Sequence, residues 1–161
     1  MEEKTIFVAR SARETEDLGS KLTHNFRMGD IVVLTGELGA GKTTFVQGVA
    51  KALNVKSRII SPTFVLVRRH KINLKSQMSN LKTTSQNLKT LYHIDLYRLE
   101  SSEEIENLGL EDIFEDTNGI FFIEWGEKHE ALKASWEINF EILEKGKRRI
   151  TIRNYAYTPG V

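Results

Sequence analysis

The stretch Gly36-Glu37-Leu38-Gly39-Ala40-Gly41-Lys42-Thr43 constrains this chain more than any other. It spells Gly, four residues, then Gly-Lys-Thr. Glycines at these positions let the backbone bend so that successive N–H groups face an anion. The flanks agree with the motif. Ile31-Val32-Val33-Leu34 is apolar and β-branched and reads as a buried strand, while Thr43 to Leu53 reads as a helix with few breakers. A helix start adds unpaired N–H donors and a favourable dipole end. In that frame Lys42 reaches the β- and γ-phosphates of a nucleotide, and the Thr43 hydroxyl joins a Mg²⁺ shell. Glu37, Leu38, Gly39, Ala40, Gly41, Lys42, Thr43 and Thr44 together make the expected nucleotide cradle.

A chain of 161 residues is one domain by size, spanning 1–161, and is long enough for a sizeable core. The absence of cysteine removes disulfides, iron–sulfur clusters and thiolate zinc sites. The chain starts Met1-Glu2-Glu3-Lys4 with no apolar secretion segment, and no run reaches membrane-spanning length. The expectation is a protein of the cytoplasm with no membrane partner. Formal net charge is +1, but it is unevenly placed. Arg68 to Leu91 holds six Lys or Arg and no acid, whereas Asp95 to Glu130 holds twelve acids against two basic residues.

In chain order, Thr5 to Ala9 is a short strand candidate. Ser11 opens a helix with Glu14 as capping-box partner, and Leu18, Leu22 and Phe26 fall on one side. After the glycine-rich loop, Phe45, Val49 and Leu53 recur at helical spacing, with Val46 and Ala50 widening the stripe. Ile59-Ile60 and Ser61-Pro62-Thr63 form a strand edge or sharp loop, and Phe64 to Val67 resumes a strand. Thr63 is either a turn threonine or a hydroxyl facing the γ-phosphate or its water. Arg68 to Thr90 has sparse apolar residues and no sustained period. It reads as a mobile insertion or a long hairpin, either a solvated loop or a positive surface for RNA backbone. Leu91 to Asp95 is a strand ending in an acid. Ser101 or Ser102 caps the next helix, Gly109 interrupts it, and Leu110 to Phe114 makes a further helical turn. Ile120 to Ile123 is a buried strand running into Glu124-Trp125-Gly126. His129 and Leu132 fall in a following short helix. Trp136 to Leu143 and Arg149 to Tyr155 alternate as paired strands. The expected fold class is α/β: a three-layer P-loop NTPase fold whose central sheet is mostly parallel, with an antiparallel C-terminal edge.

Phosphoryl transfer to water needs charge neutralisation, in-line geometry and a placed water. Glu124 and Asp95 both end expected strands, where open α/β sheets place ligands. Glu124 is assigned to the Mg²⁺ shell through water, and Asp95 to the metal or the attacking water, with the two roles exchangeable. Trp125 points to the opposite side if its strand continues, either packing under the site or approaching the base. His93 and Tyr97 read as structural. The chain lacks an Asn-Lys-x-Asp guanine reader, which makes ATP the default nucleotide. A small-molecule kinase and a non-hydrolysing nucleotide-dependent structural protein are the alternatives to an ATP hydrolase.

Four stretches taken together resemble the TsaE family of bacterial P-loop ATPases. They are Gly36 to Phe45, Ser61-Pro62-Thr63-Phe64, Tyr92-His93-Ile94-Asp95-Leu96-Tyr97-Arg98-Leu99 and Ile123-Glu124-Trp125. The similarity runs from Thr5 to about Ile152. It implies an ATPase, slow alone, that acts with TsaD and TsaB in threonylcarbamoylation of adenosine 37 of tRNA. It also implies roles in nucleotide, metal or hydrolysis for Lys42, Thr43, Thr63, Asp95, Glu124 and Trp125. Family members commonly carry Phe where this chain has Ile94. The basic segment from Arg68 to Thr90 is longer than the usual connection.

Overall fold

The computed structural model describes residues 2–61, 66–73 and 88–155. The elements are β1 (Glu2–Ala9), α1 (Ala12–Leu22), β2 (Ile31–Gly36), α2 (Lys42–Ala52), β3 (Val67–Lys71), β4 (Thr90–Asp95), α3 (Ser102–Glu106), α4 (Leu110–Phe114), β5 (Gly119–Glu124), β6 (Trp136–Ile142) and β7 (Arg148–Tyr155). The seven strands form one sheet in the order β1-β7-β6-β2-β5-β4-β3. Its centre is parallel: β2 pairs in that sense with both β5 and β6, and β4 with β5. Both edges are antiparallel, through β6–β7–β1 on one side and β3–β4 on the other. The expected α/β class and antiparallel C-terminal pair are present. The first strand adds itself beyond that pair, with Thr5 opposite Ile152.

Alternation along the strands builds two cores. Ile120 and Phe122 of β5 face α1 and α2, where they join Phe26, Leu34, Phe45, Val49, Leu53 and Phe140. Phe121 and Ile123 face the other way and pack with Ile94, Ile105 and Leu110 under α3 and α4. The helical stripe of Phe45, Val49 and Leu53 is fully buried, and Leu18 and Leu22 pack on the same cluster. Truncating a ring such as Phe122 to Ala would cost about 3–5 kcal/mol. By the same alternation Glu124, two residues after Phe122, falls on the α2 side.

Helix starts follow local chemistry. The Ser11 hydroxyl accepts from Glu14 N at 3.2 Å, while the Glu14 carboxylate reaches back to the N–H of Arg10 at 2.7 Å, one residue earlier than a reciprocal box requires. Ser101, rather than Ser102, caps α3 and forms the complete box with Glu104. Gly109 adopts φ 65° and separates α3 from α4. Helices α1 and α2 touch backbone to backbone. A Cβ on Gly48 would lie 1.9 Å from the Glu16 carbonyl oxygen, and one on Gly19 would lie 2.2 Å from that of Phe45. The Ser20 hydroxyl donates to Gly48 O at 2.7 Å across the same crossing.

Ile59 to Ser61 take the loop alternative rather than a strand edge, with Ile59 buried in the α1–α2 core. One expectation is corrected. His129 and Leu132 lie beyond a single 3₁₀ turn at Gly126–Lys128, not in a helix, because His129 is already extended at φ −103° and ψ 91°. The strand expected from Phe64 is described only from Val67 onward; Pro62, Thr63, Phe64 and Val65 lie outside the described residues. Of the basic segment Arg68 to Thr90, the two ends belong to the antiparallel β3–β4 pair, and residues 74–87 lie outside the described residues.

Candidate nucleotide-binding site

Strand β2 delivers the chain to Gly36 at φ 134°, so close to β6 that a Cβ would sit 2.3 Å from the Phe140 carbonyl oxygen. The loop closes at Gly41, φ 108°, which caps α2 without any side-chain cap. The first-turn N–H groups of an eleven-residue helix are therefore presented at the loop rather than consumed by a capping side chain. Glu37, Leu38 and Gly39 are exposed at the rim, and Ala40 is buried beneath it.

Lys42 is 4 % exposed. Its Nζ donates to the carbonyls of Gly36 and, at 2.9 Å, Glu37, which curls the side chain inside the loop. It also lies 4.6 Å from the Trp125 ring centroid. Burial pulls its pKa below the ordinary lysine value, and the carboxylates of Glu124, Glu127 and Asp95 oppose that shift. The cationic side chain thus sits amid three acids at the end of the parallel strands.

Glu124 and Asp95 are register neighbours on β5 and β4. The Thr43 hydroxyl donates to Glu124 Oε1 at 2.6 Å, and His93 Nε2 lies 2.8 Å from the same oxygen. Asp95 is held separately: Ser61 Oγ donates to Oδ2 at 3.0 Å and the Tyr97 N–H donates to Oδ1 at 2.9 Å. Among the described residues no group of three or more His, Asp and Glu side chains could by itself hold a metal ion. The donors present suit Mg²⁺ nonetheless. That ion is bound through one or two carboxylates, with phosphate oxygens and water completing its shell, and Thr43, Glu124 and Asp95 are hard oxygen donors at the mouth of the loop.

Trp125 departs from the alternation expected of a continuing strand. β5 stops at Glu124, and Trp125 takes φ 59° and ψ 31°. Its ring therefore turns to Lys42 and to Tyr97, whose ring centroid is 5.2 Å away. Lys128 closes this corner, with Nζ 5.7 Å from the Trp125 ring centroid and donating to the carbonyls of Tyr97 and Leu99. On the opposite flank of the loop, Ser11, Thr15, Gly41, Thr44 and Arg148 line a small cleft. Arg148 Nη2 donates to Gly39 O at 3.1 Å, tying β7 to the glycine loop.

The sequence-derived residues Lys42, Thr43, Asp95, Glu124 and Trp125 are thus brought together; Thr63 lies outside the described residues, though Ser61 reaches Asp95. Sequence reasoning missed the proximity of His93 to the acids and of Arg148 to the loop. The first had a signal, since His93 lies two residues before Asp95 on one strand and hence on its face. The second had none, being a contact across 109 residues.

A glycine loop running from a parallel strand into a helix, an interior lysine and a strand-end acid on the Thr43 hydroxyl define a nucleotide-binding protein of the P-loop class. The chain belongs to the TsaE family: the family model for threonylcarbamoyl adenosine biosynthesis protein TsaE matches residues 9–151. The tRNA threonylcarbamoyladenosine biosynthesis protein TsaE of Rickettsia felis is 38% identical over 150 residues, covering 91% of this chain and 78% of that protein. The protein of the same name from Treponema pallidum is 36% identical over 147 residues, covering 90% of this chain and 97% of that one. The crystal structure of Bacillus subtilis YdiB shares the fold, with a TM-score of 0.70 at 24% identity over 96% of this chain and 87% of that one. Among the described residues no helix is long and apolar enough to cross a membrane.

Proposed function

We propose that this chain is the ATP-hydrolysing subunit of the assembly that makes N6-threonylcarbamoyladenosine at position 37 of tRNA, and that it binds and hydrolyses Mg-ATP in complex with TsaD and TsaB. Membership of the TsaE family supports the role in that modification. The observation that carries the chemistry is the contact of Thr43 with Glu124 beside the Lys42 ammonium. Loop N–H groups and Lys42 hold the phosphates. Thr43 and Glu124 hold Mg²⁺, which when bound neutralises charge on the phosphates. Asp95, oriented by Ser61 and the Tyr97 N–H, either completes the metal shell or holds the attacking water. The family motif supports a role for Thr63 toward the nucleotide, the metal or hydrolysis. The ring of Trp125 borders the phosphate end, since it lies against Lys42. The purine and ribose take the other flank, where Thr44 and Arg148 line the cleft.

TsaD and TsaB give the ATP cycle its purpose, and tRNA meets the chain through that assembly. The test is ATP turnover alongside repeated tRNA modification, with and without this chain. The expected result is slow hydrolysis by the chain alone that rises with TsaD, TsaB and tRNA present. Phosphate transfer to a metabolite would establish a small-molecule kinase instead, and binding without hydrolysis even in the complex would establish a structural nucleotide binder. No change in either turnover or modification would defeat the proposal.

A further inference from the structure

We infer that His93 is a positioning residue: through Nε2 it fixes the Glu124 carboxylate in the orientation from which that acid and Thr43 share a metal. The inference rests on the Mg-ATP reading of the site and adds a residue to it.

His93 is fully buried on β4. It stands opposite Phe122 in the β4–β5 register, and Glu124 is the next residue of β5 on the same face. Its Nε2 lies 2.8 Å from Glu124 Oε1. A carboxylate oxygen facing a ring nitrogen at that distance is the acceptor, so Nε2 carries the hydrogen. The Thr43 hydroxyl converges on that same oxygen. Two donors on one oxygen pin the rotation of the carboxylate and leave Oε2 directed elsewhere. A ligating carboxylate is usually oriented by hydrogen bonds of this kind.

The other ring nitrogen sharpens the point. Among the described residues, Nδ1 of His93 is buried with no hydrogen-bond partner. A buried polar atom in that condition is costly, and an aliphatic or phenyl side chain would fill the same core position without the cost. The imidazole is explained here by what Nε2 does for Glu124, not by packing. Thr43 alone cannot serve in its place, because a hydroxyl on a metal gives its oxygen to the ion and restrains the carboxylate from one direction only.

Two amide substitutions separate the roles of the ring nitrogens. In His93→Gln the amide nitrogen reaches the place of Nε2 and can donate to Glu124. In His93→Asn it reaches only the place of Nδ1 and falls short. Both put an amide in the same pocket, and circular dichroism confirms that each folds; His93→Leu provides a third, apolar variant. Binding of a non-hydrolysable ATP analogue is followed by Trp125 fluorescence, first in EDTA and then across a Mg²⁺ titration. With His93→Gln, half-saturating Mg²⁺ should stay within about threefold of wild type, and with His93→Asn and His93→Leu it should rise about tenfold or more. Affinity in EDTA should be the same in all four proteins. Unchanged Mg²⁺ dependence in His93→Asn and His93→Leu, an equal loss in His93→Gln, or an equal loss of metal-free affinity would each overturn the inference. Failure of the Mg-ATP reading shows separately, as a wild type whose nucleotide binding ignores Mg²⁺.

Discussion

The Thr43 hydroxyl and the Glu124 carboxylate, 81 residues apart in the chain, meet at 2.6 Å at the end of the parallel strands. The hydroxyl is the donor, so its lone pairs are turned away from the acid. Glu124→Ala should therefore lower Mg²⁺-dependent ATP turnover by about 10–100-fold while binding in EDTA holds. It should also cost about 1–3 kcal/mol of stability, since His93 Nε2 would be left buried without its acceptor. Steady-state hydrolysis and urea unfolding of the same variant check both halves. An unchanged turnover would remove Glu124 from the site.

Lys42 occupies the interior of the loop, hydrogen-bonded to Gly36 and Glu37 carbonyls and lying against Trp125. Lys42→Ala should weaken ATP binding by about 10–100-fold, the worth of a charge-assisted hydrogen bond in this setting. It should also change the emission of Trp125 before any nucleotide is added, because the ring loses its cation. Calorimetric titration reads the first effect and tryptophan fluorescence the second. Equal binding by wild type and variant would sink the assignment of the loop.

Glycine to alanine inside a helix ordinarily stabilises by about 1 kcal/mol. At Gly48 the sign should reverse. The added methyl would fall 1.9 Å from the Glu16 carbonyl oxygen, which is backbone and cannot swing aside. Gly48→Ala should lose about 1–3 kcal/mol as α1 is pushed off α2. Urea denaturation measures it, and a neutral or stabilising result would show that the helices do not cross this closely.

His70 is buried on β3 with Nδ1 2.7 Å from Ser57 Oγ. Burial, then the nearby His93 and Arg68, push its pKa below the ordinary value of 6.5. The folded chain thus keeps the ring neutral at a pH where the unfolded chain protonates it. Its contribution to stability is present above pH 6.5 and is lost as pH falls from there toward the folded pKa. Wild type should lose stability on acidification through this window, and His70→Gln should show a flatter profile. Urea midpoints at steps from pH 7.5 to 5.5 test this, and parallel profiles would refute it (the interval is chosen about the ordinary histidine pKa).

Local spacing made much of the site readable in advance. The glycine loop, the stripe Phe45, Val49 and Leu53, and the acids Asp95 and Glu124 all depend on residues within a few positions of one another. What escaped depends on distant partners. Nothing near Thr5 says that its strand will lie against β7, or that Arg148 will reach Gly39. The crossing at Gly19 and Gly48 joins two helices that each look ordinary alone. Trp125 escaped for a different reason. Its left-handed backbone conformation is one that non-glycine residues seldom adopt, so alternation was the better guess and was wrong for that one residue.

Strand β5 hands Ile120, Phe122 and Glu124 to one layer and Phe121 and Ile123 to the other. The acid is therefore placed by counting. One residue removed from the interior of β5, ahead of Glu124, would carry Trp125 to the loop and move the carboxylate to the side of Ile105 and Leu110, and one residue added would carry Ile123 to the loop, while every letter of the glycine motif stayed intact. For variants of this chain, the length between Gly119 and Glu124 constrains the site as much as a side chain does, because a frame of six residues there sets which face the acid takes.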